Sequence, residues 1–124
     1  MISNSNDMIS LTWVSKLPII VVHKNLQGEQ SHFVAFKECI DKALQTNAQK
    51  LIMDFTCIDY LASTSIGLIA KTYSTLVSRG GELVVVLSPE DTSLQRLLKI
   101  TRLSTVLKIV NKRERAIKLL STRA

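Results

Sequence analysis

Two apolar runs of strand length, separated by one amphipathic segment, constrain the fold of this 124-residue chain most strongly. The runs are LIMDFTCI at 51–58 and ELVVVLS at 82–88. Between them, apolar residues recur every three or four positions over 66–77, and Gly80-Gly81 follows as a helix stop. Continuous apolar strands are typical of parallel sheets that are covered on both faces. The unit therefore predicts strand, helix and parallel strand within an α/β sheet.

The remaining segments extend the same pattern in both directions. Further strands are predicted at 8–14, 18–23 and 106–110, and further helices at 31–45, around 94–98 and over 111–124. The element order is β-β-α-β-α-β-α-β-α, which predicts a mostly parallel central sheet of about five strands with four helices. The length fits a single domain over 1–124. We expect residues 1–6 to be frayed and 111–124 to form a basic C-terminal helix.

Positive charge is concentrated near the end of the chain. Residues 1–95 hold seven basic and nine acidic residues, whereas residues 96–124 hold nine basic residues and only Glu114 as an acid. Such a segment can attract nucleic acid, anionic lipid or an acidic protein surface, or can simply form a solvated helix face. No aromatic side chains interleave with these charges, so direct nucleic-acid binding is not expected.

The sequence contains neither a membrane span nor a secretory signal. No run approaches the roughly 18 apolar residues that a transmembrane helix needs, and MISNSNDMIS lacks a basic region followed by an apolar one. We therefore predict a cytoplasmic protein. Cys39 and Cys57 form no metal-binding or redox pair, and both are predicted to be free, buried thiols.

No set of residues with the spacing of a catalytic or cofactor site is present. The chain has no glycine-rich phosphate loop, no nucleophile elbow and no Cys/His cluster with metal-ligand spacing. Asp54 lies inside a predicted parallel strand and Asp59 just after it, and a carboxylate at the C-terminal end of such a strand can accept a phosphoryl group or bind Mg²⁺. That chemistry needs a larger acidic cluster and a later lysine. We predict a protein that is not an enzyme and that needs no metal or cofactor.

Three hydroxyl residues, Ser63-Thr64-Ser65, stand where the amphipathic helix begins. A helix start needs one such side chain to accept a backbone N–H bond, and Ser63 is the simplest candidate for that cap. Thr64 is then the first helical residue and faces solvent. The alternative is that all three are capping and turn residues with no further role.

The junction and the segments after it resemble the STAS domain, and more narrowly the bacterial anti-sigma factor antagonists. After the third strand the family has an aromatic–aliphatic pair, Asp or Ser, Ser, Ser or Thr, Gly, an aliphatic residue and Gly. This chain reads YLASTSIG at 60–67. A second match is RGGELVVVLS at 79–88, followed by Leu97-Leu98, Thr101 and Leu103. The similarity covers nearly the whole chain. Ala62 replaces the usual Asp, and Ser65 replaces the usual Gly.

The resemblance implies a phosphorylation site and a partner. The phosphorylated residue of the family falls at Thr64, with Ser63 as the alternative. The residues that the resemblance and the position of the junction assign to partner contact are Asp59, Tyr60, Ala62, Ser63, Thr64, Ser65 and Lys71. Asp59 can also be a turn residue alone. The implied partner is a GHKL-type serine/threonine kinase that acts as an anti-sigma factor, and a PP2C-type phosphatase is expected to reset the switch.

Two other functions remain open at this point. STAS proteins similar to this one also serve as accessory subunits of membrane lipid-transport complexes, where the threonine is a structural contact. The loss of the usual Asp at Ala62 and the basic C-terminal segment favour that alternative. The third reading is nucleotide or nucleic-acid binding through the basic segment.

Overall fold

The computed structural model describes residues 8–45, 48–89 and 93–121, which form one five-stranded sheet with four α-helices. The strands are β1 Ile9–Val14, β2 Leu17–Val22, β3 Lys50–Asp54, β4 Glu82–Val86 and β5 Lys108–Val110. The helices are α1 Gln30–Leu44, α2 Ser63–Ser78, α3 Ser93–Ile100 and α4 Arg113–Ser121, and a short 3₁₀ turn covers Leu103–Thr105. The predicted order β-β-α-β-α-β-α-β-α is confirmed.

The sheet follows chain order, β1-β2-β3-β4-β5, with one antiparallel pair. Strands β1 and β2 form a hairpin whose two turn residues, Ser15 and Lys16, both have positive φ, the geometry of a tight hairpin turn. The other three pairs are parallel. Strands β2 to β5 therefore end at one edge of the sheet, and the segments that follow them meet there. The hydroxyl triplet belongs to one of these segments.

The two sheet faces are covered unequally. Helices α1, α2 and α3 pack on one face, where Phe36, Ile69 and Leu94 belong to a single large apolar cluster with the inward residues of the strands. Helix α4 packs on the other face. There Ala116 and Leu120 cover a smaller cluster formed by Ile19, Val21, Ile52, Val84 and Val86. Both faces of the central strands are thus buried, which explains their uninterrupted apolar sequences.

Helix α2 ends at the predicted glycine pair. Gly80 has a φ of +74°, and its N–H donates to the carbonyl of Val77, while Gly81 N–H donates to the carbonyl of Leu76. These two bonds form a Schellman motif. A Cβ at Gly81 would lie 1.8 Å from the carbonyl oxygen of Gln49, so a side chain there collides with backbone. The glycine pair predicted to end α2 is thus required both by the left-handed backbone at Gly80 and by the packing of Gly81 against Gln49.

Strand β3 is shorter than the predicted run 51–58. The carboxylate Oδ1 of Asp54 accepts hydrogen bonds from the backbone N–H of Thr56 at 2.9 Å and from its hydroxyl at 2.7 Å. This side-chain turn bends the chain out of the sheet. Cys39 is buried as predicted, but Cys57 is exposed because it lies in the turn. The prediction of a buried thiol there is wrong.

Residues 1–6, for which fraying is predicted, lie outside the described residues, as do residues 122–124 of the predicted basic helix. Among the described residues, no helix is long and apolar enough to cross a membrane.

Candidate protein-binding site at the start of helix α2

Backbone contacts, and no side-chain cap, set the first residue of α2. Ala62 occupies the cap position with an extended backbone, and no side-chain hydrogen bond caps the helix. The N–H of Ala62 donates to the carbonyl of Leu26 at 2.8 Å, next to an isolated parallel bridge between Leu26 and Leu61. The Ala62 carbonyl then accepts from Ser65 N–H and Ile66 N–H at 3.0 and 3.1 Å. The predicted cap at Ser63 is wrong by one residue, because this tertiary contact holds the preceding residue extended.

The three hydroxyls consequently have three different environments. Ser63 is the first helical residue and Thr64 the second, and both are exposed. Ser65 is completely buried, and its hydroxyl has no hydrogen-bond partner. Each helical residue turns by about 100° relative to the last, so the third hydroxyl of the series points inward. The side chains open to a second protein are those of Ser63 and Thr64.

Asn25 fixes the segment that leads into α2. Its side-chain amide donates to Asp59 Oδ1 at 2.9 Å, and its Oδ1 accepts from the N–H groups of Asp59 and Tyr60 at 3.0 and 3.3 Å. We call this set of bonds the Asn25 latch. Asp59 was predicted to be a partner contact or a turn residue alone, and these bonds show that it has a role in the turn. Sequence reasoning missed Asn25, because 34 residues separate it from Asp59 and no local pattern joins them.

The exposed face of α2 near its start includes a glycine. Thr64, Gly67 and Lys71 follow one another at intervals of three and four residues, and all three are exposed. A Cβ added at Gly67 would meet no heavy atom within 4 Å, so the fold itself does not require a glycine there. A glycine inside a helix costs about 1 kcal/mol relative to alanine. Gly67 therefore leaves this face of α2 without a side chain between Thr64 and Lys71, at a cost in stability that the packing does not require.

The residues predicted to contact a partner divide between the surface and the interior. The exposed ones are Asp59, Tyr60, Ser63, Thr64 and Lys71, whereas Ala62 is 5% and Ser65 0% exposed. Helix α2 has no acidic residue in its first turn. Its unpaired N–H groups and partial positive charge are thus not offset within the helix, a setting that stabilises an added anion.

Asp54 has a structural role in this protein. Only 4% of its side chain is exposed, and its Oδ2 accepts from Nε of Arg113 at 2.9 Å and pairs with the second guanidinium nitrogen at 2.9 Å. Its other oxygen holds Thr56, as described above. Both carboxylate oxygens are therefore used within the fold. Across residues 8–45, 48–89 and 93–121, no three His, Cys, Asp or Glu side chains are grouped as metal ligands.

Comparisons with solved structures reproduce the whole fold at low sequence identity. The Thermotoga maritima protein TM1081 superposes with a TM-score of 0.76 at 23% identity, covering 90% of this chain and 93% of that one. An anti-sigma factor antagonist from Mycobacterium paratuberculosis gives a TM-score of 0.78 at 16% identity, covering 90% and 92%.

The anti-sigma factor antagonist SpoIIAA, from Bacillus, matches in two chemical states. Its unphosphorylated form gives a TM-score of 0.71 at 15% identity, covering 91% of this chain and 97% of that one. Its phosphorylated form gives 0.68 at 17% identity, covering 90% and 98%. No curated protein sequence matches this chain. The STAS domain model, however, matches residues 24–116, which include the Asn25 latch, α2 and the ion pair of Asp54. The chain belongs to the STAS domain family.

Proposed function

We propose that this protein is an anti-sigma factor antagonist that works by binding and does not catalyse a reaction. In its unphosphorylated state it binds a GHKL-type serine/threonine kinase that also serves as an anti-sigma factor. Binding sequesters that kinase and frees the sigma factor. Phosphorylation of Thr64 by the bound kinase then releases the complex, and a PP2C-type phosphatase restores the starting state. The ATP and Mg²⁺ belong to the kinase, so this chain itself needs no cofactor.

The observation that carries the proposal is the position of Thr64. Thr64 is the second residue of α2, and it is exposed. Backbone hydrogen bonds and the Asn25 latch hold the start of this helix in place. A phosphate there gains from the helix N-terminus and breaks no hydrogen bond of the described cap. It adds about −1.5 to −2 charge to the contact face without unfolding the domain. The same fold in both states of SpoIIAA supports this expectation.

The size of the effect is adequate for a switch. A coupling of about 1–3 kcal/mol changes affinity by roughly 5- to 150-fold. A phosphate on the exposed face of α2 meets a partner surface that was complementary to a neutral hydroxyl, so it repels or reshapes that contact. We propose Asp59, Tyr60, Ser63, Thr64 and Lys71 as the contact residues, with the buried Ala62 and Ser65 supporting them from below.

Affinity capture from the native cell lysate, read by mass spectrometry, tests this function. We expect wild type and Thr64→Ala to retain a GHKL-type kinase and Thr64→Glu to lose it. Ser74→Glu is the matched control, because it places the same charge on an exposed position of the same helix. Ser63→Ala distinguishes the two acceptors in a phosphorylation assay with the captured kinase. If all variants retain the same kinase equally, Thr64 is not the switch.

A second function is favoured by one specific observation. Ala62 stands in place of the family's usual Asp and is buried at the cap of α2, so the exposed acid expected near the acceptor is missing. A constitutive accessory subunit of a membrane lipid-transport complex needs no kinase recognition. In that case the same capture experiment returns transporter subunits with every variant, including Thr64→Glu.

A further inference from the structure

The backbone of Asp59 and Tyr60 is held by one side chain. Both N–H groups donate to Oδ1 of Asn25, at 3.0 and 3.3 Å, and in the described structure neither N–H has another hydrogen-bond partner. The residues on either side, Ile58 and Leu61, are buried. Ile58 makes a backbone hydrogen bond within its own turn, and Leu61 forms the parallel bridge described above. In the described part of the chain, only the Asn25 latch fixes segment 59–60 between these two anchors.

The latch allows one orientation of the Asn25 amide. Its NH₂ group donates to Asp59 Oδ1 at 2.9 Å, while its oxygen accepts from the two backbone N–H groups. Turning the amide over would place NH₂ against two donors and the oxygen against a carboxylate, so every contact would become unfavourable. The bond to the carboxylate is charge-assisted, which strengthens it relative to a bond between neutral groups. The three bonds together specify one conformation of segment 59–60.

Segment 59–60 is exposed beside the hydroxyls that open α2. Tyr60 is 37% exposed and stands four residues before Thr64 in the chain. A protein that covers the start of α2 therefore reaches segment 59–60 as well. The helix start does not depend on the latch, because Ala62 N–H is bound by the carbonyl of Leu26. Loss of the latch thus changes the segment that a partner meets and leaves Thr64 in place.

We infer that Asn25 is a positioning residue for the partner: it holds Asp59 and Tyr60 in the conformation that the kinase binds. This role rests on the proposed function in one respect, since it requires that the kinase meets the start of α2. Without the latch, segment 59–60 must be ordered when the complex forms, and that ordering opposes association. Asp59 then acts through its bond to Asn25, so its negative charge is not itself what the kinase recognises.

Asn25→Ala removes all three bonds of the latch at once. We expect the kinase that wild type captures to bind this variant at least about tenfold more weakly, because ordering even one residue opposes binding by that much. In the phosphorylation assay, KM should rise by a similar factor while kcat stays within about twofold, since Thr64 keeps its place. The matched control is Gln49→Ala, which removes an amide that donates to the Arg79 carbonyl at 2.9 Å, at the opposite edge of the sheet. We expect the control to change affinity by less than about twofold.

Thermal unfolding followed by circular dichroism separates weak binding from loss of the fold. Ile58 and Leu61 stay buried without the latch, so we expect Asn25→Ala to lower the Tm by less than about 8 °C. Binding is measured about 20 °C below the lowest Tm of the set, so that every variant is folded. A merely structural role would lower the Tm and leave KM unchanged.

An exchange of the two side chains tests positioning directly. Asn25→Asp alone sets two carboxylates where the latch has a bond of 2.9 Å, so we expect it to bind as weakly as Asn25→Ala. Asp59→Asn alone keeps an amide beside an oxygen and should stay within about threefold of wild type. With both changes, the carboxylate at position 25 accepts from the two backbone N–H groups and from the amide at position 59. All three bonds return with the roles of the side chains reversed, and we expect affinity and KM to recover to within about threefold of wild type.

The outcomes separate the positioning role from the proposed function. If Thr64→Glu loses the kinase and Asn25→Ala keeps it, the proposed function stands and the positioning role is wrong. If the double variant stays as weak as Asn25→Ala, the kinase contacts the side chains at 25 and 59 directly, and the positioning role is again wrong. Loss with Asn25→Ala and recovery with the double variant, but no loss with Thr64→Glu, keeps the positioning role and removes the switch. Equal losses in Asn25→Ala and Gln49→Ala, or no kinase captured by wild type, overturn the positioning role.

Discussion

Asp54 and Arg113 join the carboxyl end of β3 to the first residue of α4 through a buried carboxylate and a half-exposed guanidinium, with both nitrogen–oxygen distances at 2.9 Å. At the other end of the same strand, Lys50 Nζ donates to the carbonyl of Leu120 at 2.8 Å. The first and last residues of β3 thus hold the two ends of α4. The predicted basic helix is positioned by this strand, in addition to its own apolar face.

Loss of Arg113 tests the first of these contacts. Arg113→Ala leaves the carboxylate of Asp54 buried without its cation, so we expect the free energy of unfolding to fall by about 1–3 kcal/mol. The upper part of the range for a buried pair does not apply, since 43% of the Arg113 side chain is exposed. Urea denaturation measures the change. The control is Arg115→Ala, which removes an exposed guanidinium two residues away and should cost less than about 0.5 kcal/mol. Equal effects of the two changes would mean that the pair contributes nothing.

Ser65 offers a stabilising substitution. Its hydroxyl is buried without a partner, and Ser65→Ala removes the unpaired group while adding helix propensity. We expect a gain of about 1 kcal/mol in the free energy of unfolding. Ser74→Ala, at an exposed position of the same helix, should gain only about 0.5 kcal/mol, the propensity difference alone. A smaller gain at Ser65 than at Ser74 would show that the buried hydroxyl is not a cost.

Gly67 separates stability from partner binding. Gly67→Ala fills open space on an exposed helix face, so we expect the domain to gain up to about 1 kcal/mol of stability. If the kinase approaches this face closely, the added methyl group weakens its binding. Thermal unfolding and titration with the captured kinase report the two effects independently. Val77→Ala on an exposed position farther along α2 serves as the binding control. Unchanged kinase affinity for Gly67→Ala would place the contact elsewhere.

The glycine pair after α2 should show unequal sensitivity. Gly80→Ala must adopt a φ of +74°, which costs roughly 1–2 kcal/mol. Gly81→Ala brings a Cβ to 1.8 Å from the backbone oxygen of Gln49, so the chain itself must move, and we expect a loss above about 4 kcal/mol or failure to fold. Circular dichroism with urea titration ranks the two variants. The reverse order would contradict the close approach of Gly81 to Gln49.

The features that the sequence predicted are those that arise from local patterns. The periodic apolar positions of α2, its stop at Gly80-Gly81 and the continuous apolar strands all follow from residues close together in the chain. The cap of α2 lies one residue before the predicted one, because the hydrogen bond from Ala62 N–H to the Leu26 carbonyl determines where the helix starts. The Asn25 latch could not be predicted either, since side chains 34 residues apart carry no periodic signal.

Exposure in turns was harder to predict than exposure in helices and strands. The apolar run 51–58 predicted a strand that buries Cys57, but Asp54 bends the chain through Thr56 and turns the thiol outward. The hydroxyl triplet lies at the start of α2 as predicted. Ser65, however, was grouped with the residues that contact a partner, and it is buried. At Cys57 a hydrogen bond to the Asp54 side chain, and at the start of α2 a backbone hydrogen bond to Leu26, determine exposure more strongly than the pattern of apolar residues does.

Helix α4 also matters for how the protein is made. Val21, Ile52 and Val86 share a sheet face that only α4 covers in the described structure, and α4 follows all of them in the chain. A ribosome translates the sheet strands before it reaches residue 113, so the nascent chain emerges with this face bare. Domains that fold during synthesis expose such surfaces to aggregation and to chaperones. A translation product that ends before α4 therefore leaves Val21, Ile52 and Val86 uncovered, however complete its sheet is.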